Sequence, residues 1–190
     1  MKWNTLALAD VAPSPWKNGG GVTRELLAWP SPAHWVFRLS VAEVQADGPF
    51  SRFEGVQRWF AVLSGAGVRL HLGDAGAGEV ATLTPASAPF CFDGALAVDC
   101  ALIDGATQDF NLMLRTDRAS AHLLRVVDRL DAVTAGPGTV AIWAGVSGAE
   151  IWAGQACTRL AGHSLAWQAL PAGVALNVLS TDALYMEIDA

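Results

Sequence analysis

A chain of 190 residues, 52% apolar and only 16% charged, can bury its own core, so it is neither disordered nor dependent on a disulfide or metal staple. Its net charge of −6 comes without any run of Lys or Arg, which speaks against a phosphate-tracking nucleic-acid binder. No apolar stretch approaches the ~18 residues of a membrane span, and Met1-Lys2-Trp3-Asn4-Thr5 opens no apolar run of signal length, so a cytoplasmic protein is expected.

Turn formers recur at short intervals along the chain: Pro13-Ser14-Pro15, Asn18-Gly19-Gly20-Gly21, Trp29-Pro30-Ser31-Pro32, Asp47-Gly48-Pro49, Ser64-Gly65-Ala66-Gly67 and Gly73-Asp74-Ala75-Gly76. Asp93-Gly94, Asp104-Gly105, Gly136-Pro137-Gly138 and Ser147-Gly148 continue the series. Glycine supplies positive φ and proline fixes φ, so each cluster reads as a turn. Many turns with short alternating runs between them predict an all-β sandwich or barrel.

The runs, in order, begin with residues 23–28, a short strand or helical turn. Residues 35–44 alternate Trp35, Phe37, Leu39 and Val41 against Val36, Arg38, Ser40, Ala42 and Val44. In 58–63, Arg58, Phe60 and Val62 share a face; in 68–72, Val68, Leu70 and Leu72 oppose Arg69 and His71. In 109–115, Phe110, Leu112 and Leu114 oppose Asp109, Asn111, Met113 and Arg115. Residues 119–133 place Leu123, Val126, Val127 and Leu130 at helical spacing, yet their valine content favours a strand. Val62-Leu63-Ser64-Gly65-Ala66-Gly67-Val68 resembles Gly145-Val146-Ser147-Gly148-Ala149-Glu150-Ile151, which suggests two related β units.

Metal chemistry finds no support in the sequence. His34, His71, His122 and His163 are scattered, with no H-x-H or H-E-x-x-H. Cys91, Cys100 and Cys157 are odd in number and unpatterned, and read as reduced core residues. No G-x-S-x-G or other nucleophile motif occurs. The cations Lys2, Lys17, Arg24, Arg38, Arg52 and Arg58 instead gather in the first third, where an acidic protein can hold a local positive pocket.

Three segments carry the candidate site. In 15–25, three glycines allow backbone N–H groups to converge as an anion nest, Lys17 and Arg24 add charge, Asn18 adds hydrogen bonds and Trp16 a flat wall. In 47–58, Phe50 and Phe53 sit in a loop that ends at Arg58, either plugging a barrel end or walling a pocket. In 109–115, Asp109, Asn111 and Arg115 alternate on one strand face, which is either a solvated surface or part of the pocket.

The stretches P-W-K-N-G-G-G-x-T-R-E at 15–25, D-G-P-F-S-x-F-x-G-x-x-R at 47–58 and D-x-N-x-M-x-R at 109–115 resemble the HutD/Ves family. The strong likeness covers residues 13–115, and beyond them only a general β pattern continues. The resemblance implies an all-β, cupin-like fold with two β-barrel halves in one chain (a bicupin). It implies a ligand-binding or regulatory accessory protein of histidine utilisation, or of stress response in the Ves branch, with no enzymatic activity firmly attached. Glu54 stands where relatives usually carry proline, which is expected to loosen the loop bearing Phe53. The division that follows is 1–115, a barrel carrying the pocket, and 116–190, a smaller second half.

The expected function is metal-independent binding of a small anionic metabolite, a carboxylate from histidine breakdown such as urocanate or formylglutamate. Lys17, Arg24 and Arg58 neutralise it, Asn18 and Asn111 orient it, Trp16 and Phe50 cover it, and Ser51, Asp109 and Arg115 complete the ligand set. No cofactor or metal is expected, because arginine and phenyl groups occupy the barrel-mouth region where cupins place histidine ligands. The alternatives are a metal-independent isomerase or hydrolase, with Asp109 as base and Arg58 or Lys17 as electrophilic partner, and a stress-associated interaction module. A carboxylate beside two cations is expected to have a lowered pKa and to be a poor base, which favours binding. A homodimer is the assembly considered.

Overall fold

Each alternating run forms a strand. The computed structural model describes residues 2–73 and 78–190, so three residues of the expected turn Gly73-Asp74-Ala75-Gly76 lie outside the described residues. β1 (Asn4–Ala7) comes first. It is followed by β2 (Ser14–Pro15), β3 (Gly21–Trp29), β4 (Phe37–Val44), β5 (Gly48–Pro49), β6 (Val56–Ser64) and β7 (Val68–Leu72). Next are β8 (Glu79–Leu83), β9 (Phe90–Asp93), β10 (Val98–Leu102) and β11 (Thr107–Arg115). The last six are β12 (Ser120–Val133), β13 (Gly138–Ala144), β14 (Ala149–Ala153), β15 (Ala156–Leu160), β16 (Ser164–Leu170) and β17 (Ala175–Asp189). The region 119–133 is therefore strand, as its valines suggest; its helical spacing yields to pairing with β17.

The chain divides into two compact units, residues 12–118 and residues 1–11 with 119–190. The expected boundary at 115/116 left residues 1–11 with the first unit. In the structure β1 instead pairs antiparallel with β16 of the second.

In the unit 12–118, one sheet runs β2-β3-β4-β11-β6-β9 and the other β5-β10-β7-β8. Val44, Phe60, Val62, Leu70 and Val98, drawn from both sheets, form one buried cluster. Burying such side chains stabilises the fold by roughly 1.5–3 kcal/mol each. In the other unit, β17 bridges the sheet: its Asn177–Leu179 stretch pairs with β14 and its Ala183–Ile188 stretch with β13, while β12 runs antiparallel along it. Ile142, Ile151, Val178 and Tyr185 pack in its core.

The ladders follow the same order in both units. β4-β11-β6-β9 and β10-β7-β8 in one correspond to β12-β17-β13-β16 and β17-β14-β15 in the other. The two similar Ser-Gly segments occupy matching places, joining β6 to β7 and β13 to β14. Gly65 and Gly148 there both adopt positive φ, +92° and +76°.

The cysteines are free. Cys100 is buried and Cys91 half-buried, but Cys157 is exposed, against the core placement expected. It lies on β15, an edge strand that among the described residues pairs only with β14.

Candidate anion-binding cavity

β4, β11 and β6 lie side by side, and their register stacks the site in cross-strand rows. Arg38, Met113 and Arg58 form one row, Ser40, Asn111 and Phe60 the next, and Ala42, Asp109 and Val62 the third. Opposed residues on paired strands share a face, so period-2 alternation sends these rows to one side of the sheet. There the first two rows and Ala42 wall a cavity of about 640 Å³ inside the unit 12–118. Trp16, Thr23, Phe50 and Phe53 close around it from β3 and the loops, and Lys17, Asn18 and Ser51 line it from exposed positions.

Trp16 is held by its indole N–H, which donates to Thr23 Oγ1 at 2.7 Å. Its ring meets Phe50 edge-on at 6.5 Å. Gly21 lets Trp16 and β4 close on each other, since a Cβ there would stand 2.3 Å from Glu43 O and 3.3 Å from Trp16 Cε3. Phe53 lines the cavity, and its N–H donates to Gly94 O at 2.7 Å.

Arg58 is the most buried cation in the cavity wall, only 8% exposed. Its Nη2 donates to Asn111 Oδ1 at 3.0 Å and its Nη1 to Ser51 O at 3.5 Å, while Nε has no hydrogen-bond partner among the described residues. The rings of Phe50 and Phe92 lie 5.1 Å from the guanidinium and that of Phe53 6.0 Å. Burial, with a lesser contribution from the charge of Arg38, pulls its pKa down to about 10. Arg38 donates from Nη2 to Met113 Sδ at 3.2 Å, lies over Trp35 and Phe53, and meets Glu25 Oε2 at 3.7 Å. The cavity wall thus carries Lys17, Arg38 and Arg58 and no Asp or Glu.

Seven of the ten residues expected from sequence meet here: Trp16, Lys17, Asn18, Phe50, Ser51, Arg58 and Asn111. Three do not line the cavity. Arg24 is opposite Val41, on the reverse face from Thr23, and pairs with Glu43. Arg115 ends β11, exposed, with its guanidinium 5.3 Å from the Trp35 ring. Asp109 is fully buried between Ala42 and Val62 and accepts from Thr107 Oγ1 at 2.7 Å. The lowering of its pKa by cations that the sequence led us to expect does not occur. Burial raises it to about 7 against the lowering effect of the Thr107 bond.

The glycine nest also fails to form at the cavity. Gly19 N–H donates to Trp16 O and Gly20 N–H to Asn18 Oδ1, so the turn satisfies its own donors. Arg38 and Met113 are among the wall residues that the sequence reading left out of the site. Arg38 shares its predicted face with Ser40, Ala42 and Val44, all of them in the wall, so strand alternation was the available signal. For a metal, His34, His71, His122 and His163 are all exposed, and among the described residues no three His, Cys, Asp or Glu side chains gather as ligands.

The fold is cupin-like: oxalate decarboxylase of Lactobacillus farciminis matches it with a TM-score of 0.66 over 97% of this chain and 85% of its own, at 8% identity, a likeness of fold alone. A cupin-like β protein with a carboxylate-free cationic cavity is the class that fold and site define. Within it, the chain belongs to the HutD family, whose model matches residues 8–186. An uncharacterized 21.2 kDa protein of the hutC 3′ region of Pseudomonas putida is 37% identical over 159 residues, 82% of this chain and 80% of its own. Protein Ves of Citrobacter koseri is 36% identical over 118 residues, 60% of this chain and 58% of its own. HutD of Pseudomonas fluorescens SBW25, solved in a formate condition, is 29% identical with a TM-score of 0.86 over 98% of both chains.

Proposed function

We propose that the protein is a metal-independent binder of small carboxylates, acting as an accessory or regulatory component of histidine utilisation in the cytoplasm. One observation carries this reading: Arg58 is buried against a cavity, without a carboxylate among its partners and with Arg38 and Lys17 in the same wall. A buried cation is costly unless paired, and an entering carboxylate supplies charge-assisted hydrogen bonds. The aromatic walls suit a planar anion such as urocanate, and formylglutamate is the second candidate. The shared ladder order supports reading the two units as cupin halves, the bicupin arrangement. The enzymatic alternative is weakened because Asp109, its candidate base, lies outside the cavity wall.

The test is calorimetry with urocanate, formylglutamate and formate, the smallest carboxylate. Binding that is lost in Arg58→Met supports the reading. Failure of all three to bind at millimolar concentration overturns it.

A further inference from the structure

We propose that strand β12 is a self-association edge through which two copies of this chain pair antiparallel about Leu130. β12 is 14 residues long and pairs only with β17 among the described residues. Its counterpart in the other unit, β4, is covered on the corresponding edge by β3. An uncovered strand edge presents unpaired N–H and C=O groups to a further strand.

The side chains name the occupant. Val127 and Val133 are 62% and 64% exposed. Between them Arg129 and Asp131 form an exposed pair with Nε–Oδ1 and Nη2–Oδ1 contacts of 2.9 and 2.7 Å. Leu130 faces the opposite way and packs on the core of its unit. A two-fold axis at Leu130 sets Arg129 against Asp131 of the second copy and Asp131 against its Arg129. The two intrachain pairs become a square of alternating charge. The same axis sets the two Leu130 side chains together on the core-facing side.

Neighbouring registers are worse. An axis at Arg129 opposes two arginines and one at Asp131 opposes two aspartates, and like charges directly opposed are destabilising. An axis between residues mixes the exposed face with the core-facing one. The register shift between Val126 and Asp128, where Asp128 has φ +68°, ends the regular ladder and sets one limit of the paired segment. One strand per copy falls at the small end of specific interfaces, about 1,200 Å² or less, so the dimer forms in a concentration-dependent way.

Sedimentation of the full chain at low salt is expected to show the dimer fraction rising with concentration. Arg129→Asp and Asp131→Arg should each raise the dimer dissociation constant about tenfold or more, because each opposes like charges across the axis. An equimolar mixture of the two variants should restore dimerisation, as should the double swap Arg129→Asp/Asp131→Arg. A role confined to the intrachain pair predicts no rescue in the mixture. The proposal is overturned by a wild-type chain that stays monomeric up to millimolar concentration, by single variants that dimerise as wild type does, or by a mixture that does not re-form the dimer.

Discussion

Arg58 donates to Asn111 Oδ1 over 3.0 Å, so the most buried cation of the cavity is held by a neutral acceptor. Asn111→Asp would place a carboxylate where the site otherwise awaits one. The expected outcome is an intact fold, an Arg58 pKa returned upward, and urocanate affinity reduced roughly 100-fold, since the cation is then already paired. Calorimetry together with thermal unfolding checks both parts. Undiminished affinity in Asn111→Asp would remove Arg58 from the anion site.

The three arginines of β3, β4 and β6 are separated by the same experiment. Arg38→Met is expected to weaken carboxylate binding by about tenfold, the worth of one charge-assisted contact in a partly exposed position. Arg24→Met should leave affinity unchanged, because Arg24 pairs with Glu43 on the other face of the sheet. Its cost in stability should stay within about 1 kcal/mol, as for other partly exposed ion pairs. Equal losses of affinity in the two variants would contradict the assignment of faces.

Gly21→Ala tests the close approach that seats Trp16. The added methyl would meet the backbone oxygen of Glu43 at 2.3 Å, and a backbone atom held in the β3–β4 ladder has little room to move. Destabilisation of about 1–3 kcal/mol is expected, read as a lowered Tm, with weaker ligand binding because Trp16 shifts. An unchanged Tm would show that the ladder yields at this point.

The alternation of 35–44 and 58–63 made most of this legible from sequence, because strand period fixes which side chains share a face. It placed Arg58 with Phe60, and Arg38 with Ser40 and Ala42, before any contact was known. What it lacked was register. Arg24 and Thr23 are adjacent in sequence, but only Thr23 lies in the row with Ala42, and the pairing partner alone decides that. Asp109 shares the correct face with Asn111, but sits one row further along, between Ala42 and Val62. Its expected neighbours were cations and its actual ones are small apolar groups, so the sign of its pKa shift reversed.

That reversal gives the last prediction. Asp109 titrates at about 7 in the folded protein, against 3.8 for an ordinary aspartate, chiefly because burial penalises its charged form. The folded state therefore holds this proton more tightly than the unfolded chain does. The resulting stabilisation is fully present below the unfolded pKa and is lost as pH rises through the folded one, at up to roughly 1.4 kcal/mol per pH unit. Asp109→Asn keeps the shape and removes the titration. The difference in Tm between the variant and the parent should shift steadily in favour of the variant from pH 4 to about pH 7, then level off. Unfolding followed across that range, with the two proteins side by side, checks the slope. Parallel curves would mean that Asp109 stays ionised in the fold and that its burial is compensated by a partner other than Thr107.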